Sequence, residues 1–291
     1  MIKTFNLQQG EFLLKNPLLL HFYYLKQANP NAVLYTDGKG NVGYFNKEEN
    51  HVSVYCNDEE FIGQFYDVLP KGELHFSATS PFVRNWIAKR HQFVWTCDCN
   101  FYYYNGKPLP QPQHEVGSLT VDYVDLVATG TSYTADKEEI KQAIANRETS
   151  AIYVDGKPVC WCVTHDDYSM GMLYTLPEHR HKGYALSVML DICHKLLKKG
   201  IQPFCYIIFG NTASENLAKK YNMPVSVPEP INPIARFVYS DSSIEDFPNR
   251  FRRACYNAGI SFYEGGYVNY SHKLADVEET LEKVESVFKT F

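Results

Sequence analysis

At 291 residues, with 45% apolar and 21% charged side chains, the chain has the composition of a folded globular protein and the length for about two domains. A formal net charge of −5 and the lack of a long basic run argue against a nucleic-acid partner, and no stretch approaches the ~20 apolar residues of a membrane-spanning helix. The N-terminal run MIKTFNLQQG has no signal-peptide core, so a cytoplasmic protein without membrane contact is expected. Its cysteines at 56, 97, 99, 160, 162, 193, 205 and 255 should then be reduced thiols. The pairs Cys97/Cys99 and Cys160/Cys162 lie in strand-like runs, whereas structural zinc pairs are spaced by two to four residues around a turn. They read as small core residues, and no metal is expected.

The first segment alternates short helical and extended runs. Asn16–Gln27 predicts a helix, Ala32–Tyr35 a strand, and Asp37–Asn41 a hairpin turn rich in glycine. Val42–Phe45 and Val52–Cys56 follow as strands, then Asp58–Val68 as a helix that Asp58 can cap. Pro81–Arg90 predicts another helix and Phe93–Tyr104 a long aromatic strand. The proline-rich stretch 105–112 is the best linker and sets a first domain at 1–113.

A second domain is expected at 114–228. Thr120–Val127 alternates like a strand, and Ala135–Asn146 predicts a helix with Asp136 and Glu138 in its first turn. Ala151–Val154, the Asp155–Lys157 turn and Val159–Thr164 make a hairpin; a turn at Asp166–Asp167 leads to the strand Ser169–Thr175. After residues 176–183 comes a helix ending at Gly200, with Leu186, Met189, Leu190, Cys193 and Leu197 on one face. Pro203–Phe209 and Ala213–Tyr221 predict a strand and a short helix. This is an α/β layered order. The remainder, 229–291, predicts a strand (Ala235–Tyr239), a helix (Ile244–Ala258), an extended piece (Ile260–Tyr270) and a helix (Leu274–Phe288) whose apolar stripe should dock on its own domain.

The run Arg180-His181-Lys182-Gly183-Tyr184-Ala185 lies between an extended segment and a strongly amphipathic helix. Its backbone N–H groups would crowd a helix N-terminus, which together with the helix dipole makes an anion site for a diphosphate. Gly183 would let the backbone approach the phosphates, Ala185 keeps that approach narrow, and Arg180 and Lys182 add positive charge.

In these residues the chain resembles the GNAT superfamily of acyl-CoA-dependent N-acyltransferases, whose diphosphate loop has the form Arg/Gln-x-x-Gly-x-Gly/Ala. Downstream, Asn211-Thr-Ala-Ser214-Glu-Asn-Leu217 resembles that family's second CoA-contacting motif. The resemblance covers about 118–225 and is greatest to the glycine N-acyltransferase-like subgroup, through Thr175-Leu-Pro-Glu-x-Arg180. It implies a mixed, mostly antiparallel GNAT sheet in 114–228, a degenerate GNAT-like copy in 1–113 and a small C-terminal α/β appendage. It also implies that acetyl-CoA or another short acyl-CoA is the co-substrate and that a small-molecule amine or amino acid is the acceptor. The diphosphate would sit on the N–H groups of His181 to Leu186, the pantetheine along Met172, Leu173 and Tyr174, with Asn211 and Ser214 beside the cofactor. A backbone N–H near Leu173–Tyr174 would serve as oxyanion donor.

The chain departs from the family at two positions. Where many members carry a tyrosine acid it has Ala218, with Tyr221 three residues on as a substitute. Where the subgroup carries a carboxylate base it has Ser169, with His165, Asp166 and Asp167 close by. Asp167, Ser169 and Tyr221 are therefore the catalytic candidates, and a polar hairpin turn is the plain alternative for the first two. A non-catalytic CoA-binding regulator is the competing function. Residues 251–288 weakly resemble the small-domain end of class III pyridoxal-phosphate aminotransferases and are expected to be an accessory piece, covering the acceptor site or making a homodimer contact.

Overall fold

Short runs with apolar side chains at alternate positions become strands throughout the first third of the chain. The structure, a computed structural model, describes residues 1–130, 136–220, 233–240 and 274–288. After β1 (Lys3–Phe5), Asn16 accepts the N–H of Leu18 and Pro17 opens a tight turn that leads into α1 (Leu20–Ala28). Strands β2 (Val33–Thr36), β3 (Val42–Asn46) and β4 (His51–Tyr55) form an antiparallel meander. Asp58 then caps α2 (Glu59–Asp67), its Oδ1 accepting the N–H groups of Glu60 (2.7 Å) and Phe61 (3.0 Å). Next come β5 (Glu73–Thr79), parallel to β4, then α3 (Pro81–Ala88) and the long strand β6 (Phe93–Tyr103).

The second half repeats this order. Two helices, α4 (Val124–Thr129) and α5 (Lys137–Asn146), precede the meander β7 (Thr149–Val154), β8 (Lys157–Thr164) and β9 (Met170–Thr175). Helix α6 (Tyr184–Lys198) leads to β10 (Phe204–Ile208), which is parallel to β9, and α7 (Thr212–Lys220) to β11 (Pro233–Ser240). The final strands cross over: β6 pairs with β10 of the second half, and β11 pairs with both β6 and β5. One 11-stranded sheet results, in the order β1-β2-β3-β4-β5-β11-β6-β10-β9-β8-β7.

Strand alternation sorts the side chains of β8. Cys160 and Cys162 face α6, while Trp161 and Val163 pack with Ile140, Ala143 and Ile144 of α5. Burial keeps these sulfurs as thiols, pushing Cys160 up to about 11 and Cys205 up to about 12. The core under α6 is shared by both halves. Tyr24 of α1 stacks on Phe204 (centroids 6.4 Å) and meets Tyr168 edge-on (5.4 Å).

Three expectations need correction. Thr120–Val127 is helical: a short turn at Val121–Tyr123 runs into α4, because Val124 and Val127 share an i, i+3 face that buries Val127. Asp136 lies before α5 as its cap, its carboxylate accepting the N–H of Glu138 and Glu139. Strand β5 was not expected, although Leu74, Phe76 and Ala78 alternate inward along it. The expected strand at 235–239 is present as β11 and the last helix as α8 (Leu274–Phe288), where Leu281 of the apolar stripe is 62% exposed. The helix expected at Ile244–Ala258 and the extended piece at Ile260–Tyr270 lie outside the described residues, as does Tyr221.

Candidate active site

The segment 176–183 carries the chain from β9 to α6. Its backbone uses the left-handed region twice, at His181 (φ 62°) and Gly183 (φ 80°). The structural demand at position 183 is this φ rather than space, since a Cβ there would meet only His114 Nε2, at 3.5 Å. The first intrahelical bond runs from the N–H of Ser187 to Gly183 O (3.2 Å), so the N–H groups of Tyr184, Ala185 and Leu186 point out of the helix end. No side chain caps them, and the first turn holds no acidic residue. The positive end of a fifteen-residue helix is thus left open.

The surroundings are built to keep that shape. His114 Nε2 lies 3.0 Å from Lys182 O, and the His114 ring meets Tyr184 edge-on at 4.8 Å. The backbone N–H groups of Gln113 and His114 donate to Ser187 Oγ, which ties the segment before α4 to α6. Arg180 donates from Nε to Thr175 O (3.1 Å) and sits 5.6 Å from the Tyr174 ring, while His181 and Lys182 are exposed. Asn211 caps α7, its Oδ1 accepting the Ser214 N–H (3.2 Å). Ala218 is buried against Tyr102 and Ile207, facing the sheet.

Strand β9 leads from this loop toward a second feature. Between Gly171 and Tyr174 it carries one residue more than β8, a bulge that holds Met172 at φ 48°. It pairs with β10 only at Met170↔Cys205, so from Gly171 onward β9 runs without a β10 partner. Leu173 and Tyr174 lie on that stretch.

At the other end of β9 the chain makes a tight turn, with Tyr168 N–H on His165 O (3.0 Å) and His165 N–H on Ser169 O (2.8 Å). Asp167 is buried there; its Oδ1 accepts the Ser169 N–H (2.9 Å) and its Oδ2 the Tyr206 hydroxyl (3.3 Å). Ser169 is 1% exposed, and its Oγ has no hydrogen-bond partner among the described residues. The His165 ring lies against Gly171, where a Cβ would come within 2.0 Å of Nε2.

His165, Asp166, Asp167 and Ser169 line a cavity of ≈110 Å³. The first half of the chain closes it with Leu25, His51 and Ser77. Arg147, also on the lining, is ion-paired with Asp166. Asp167 and Ser169 are thus brought together, and His165 and Asp166 with them. The sequence reading missed His51, Ser77, Arg147 and Tyr206. No motif marks them, because only the closure of the sheet brings them to the turn.

Residues 153–225 match the family of FR47-like proteins, a segment that includes β9, the loop, α6 and α7. A solved structure of a Drosophila protein superposes with a TM-score of 0.60 at 12% identity, over 82% of this chain and 98% of that one. An acetyltransferase of the GNAT family from Colwellia psychrerythraea reaches 0.47 at 16% identity (82% and 100% covered). A tandem GNAT protein of the clavulanic acid biosynthesis pathway reaches 0.43 at 9% identity (83% and 98% covered). These last two scores are too low to carry weight. The fold is the expected mixed α/β GNAT arrangement, and the FR47-like match supports the GNAT superfamily for the segment it spans.

Proposed function

We propose that the protein is an acyl-CoA-dependent N-acyltransferase of GNAT type, passing an acetyl or other short acyl group directly to an amine. The open N-terminus of α6 carries this reading: three unclaimed N–H groups, no first-turn acid, a glycine in the left-handed region, and Arg180 and Lys182 beside it. That donor set fits a diphosphate, which the N–H groups of Tyr184, Ala185 and Leu186 would hold. An acyl-CoA, when bound, supplies the thioester to be cleaved. The stretch of β9 beyond Met170, paired with β8 but not with β10, is where the pantetheine would run, and a backbone N–H near Leu173–Tyr174 would donate where negative charge grows on the carbonyl oxygen. Asp167 would take the proton from the incoming ammonium, directly or through a water, while Ser169 N–H and Tyr206 hold its carboxylate in place. Tyr221 stays the candidate to return a proton to the leaving sulfur. The finer likeness to glycine N-acyltransferases rests on the Thr175–Arg180 run, the Asn211–Leu217 segment and the GNAT-like first domain.

Calorimetric titration of acetyl-CoA tests the reading, with Gly183→Glu alongside. Binding by the wild type and loss in the variant are expected, because the new side chain strains the left-handed position and puts a carboxylate at the donor set. No binding to the wild type would overturn it. Binding without thiol release in a screen of amines would favour the non-catalytic CoA-binding alternative.

A further inference from the structure

The cavity at the β8–β9 turn is assembled from both halves of the chain, and three carboxylates line it. Asp166 and Glu139 are exposed, and Asp167 lies deeper, where it is buried. Against these three carboxylates the described lining sets the imidazoles of His51 and His165 and the guanidinium of Arg147, which is already ion-paired with Asp166. Glu49, close to Asp166, has its carboxyl pushed up first by burial and then by the Asp166 charge, as a negative local field requires. Beside Asp167 the Ser169 hydroxyl is buried on the lining with no hydrogen-bond partner among the described residues. An orphaned buried hydroxyl is costly unless a ligand or water satisfies it.

We propose that this cavity is the acceptor site and that it selects a small amine entering as an ammonium cation and carrying no carboxylate. The inference rests on the acyltransferase reading above. An ammonium offers three N–H donors and needs no donor in return, which suits a floor formed by the Asp167 carboxylate and the Ser169 oxygen. A carboxylate on the same ligand would face Asp167 and Glu139, and Arg147, the lining guanidinium among the described residues, is already engaged by Asp166. At ≈110 Å³ the space is several times the roughly 10–15 Å³ that one water needs, so a short alkyl amine has room. In the transfer the ammonium gives one proton to Asp167, and the amine nitrogen forms the C–N bond to the acyl carbon. The C–S bond breaks with its electron pair on sulfur, and the second N–H proton ends on that sulfur as the free thiol.

The test compares three acceptors of one chain length: butylamine, 1,4-diaminobutane and 4-aminobutanoate. Thiol release from acetyl-CoA is followed for each, and their binding is measured by calorimetry with CoA present. The two amines should exceed 4-aminobutanoate at least tenfold in both kcat/KM and affinity. Asp167→Asn should lower amine kcat/KM at least tenfold while acetyl-CoA affinity stays within twofold. Equal or better use of 4-aminobutanoate would overturn the proposal, as would acetyl-CoA binding with none of the three bound. If acetyl-CoA itself fails to bind, the acyltransferase reading falls, and the calorimetric ranking still judges the cavity. That ranking uses wild-type protein, so it does not depend on the variant folding.

Discussion

The same corner is built twice in this chain and finished in opposite ways. In the first half β4 reaches α2 through Cys56, Asn57 and Asp58; the Asp58 carboxylate takes the first N–H groups, and Glu59 and Glu60 follow in the first turn. The positive end of that helix is neutralised by its own sequence. In the second half β9 reaches α6 through a longer loop that ends on Gly183 in the left-handed region, with no cap and no acid. That helix end keeps its positive charge uncompensated by its own first turn. Topology, including the parallel pairings β4–β5 and β9–β10, is common to both corners. The difference is a matter of cap chemistry, and the proposed diphosphate site depends on it.

The strongest way to break the contrast is to finish the second corner like the first. Gly183→Asp places a carboxylate at the cap position of α6, where it can take the N–H groups now open. Acetyl-CoA affinity should fall about 100-fold, equivalent to roughly 2.8 kcal/mol at 1.4 kcal/mol per tenfold. Calorimetry at one salt concentration reads this directly, and unchanged affinity would mean that the loop does not hold the diphosphate.

The two cores also differ in what they titrate. The thiols facing α6 stay neutral, whereas the first half buries His21, whose ring Nε2 meets Ser53 Oγ at 2.9 Å and whose Nδ1 has no partner. Burial, with the His51 charge second, lowers its pKa from 6.5 to about 3. The native imidazole is therefore neutral while the unfolded one takes a proton below about 6.5. Stability is intact above that pH and is lost as the pH falls toward 3. Urea unfolding should show about 2 kcal/mol less stability at pH 5 than at pH 7 from this group. His21→Gln should flatten that slope, and an equal slope in both proteins would refute the assignment.

How much of this was legible in advance follows from what is local. Caps, turns and amphipathic faces depend on a few neighbouring residues, so Asp58, the hairpins, α6 and the open loop could be read directly. Thr120–Val127 misled because its apolar residues satisfy both an alternating and an i, i+3 pattern, and only packing beneath Val127 decides between them. Strand β5 was overlooked although its alternation is plain. The bulge at Met172 leaves no residue signature, since its positive φ falls on a methionine. The cavity was half legible: His165, Asp166, Asp167 and Ser169 are contiguous, but His51 and Ser77 arrive only because β4 and β5 share a sheet with β9 and β10.

The smallest expected effect sharpens the contrast from the other side. If the first corner is structural, removing its cap should cost stability and nothing else. Asp58→Ala leaves the N–H groups of Glu60 and Phe61 without their 2.7 and 3.0 Å bonds, and helix caps of this kind are worth about 1 kcal/mol. Thermal unfolding should shift down by about 2–4 °C. Acetyl-CoA affinity should stay within twofold of the wild type, because α2 offers its N-terminus to no ligand and Glu59 and Glu60 still repel anions there. A gain in anion binding at the uncapped α2 would show that the cap alone had silenced the first corner. A loss of acetyl-CoA binding would show that the two corners are coupled through the shared sheet.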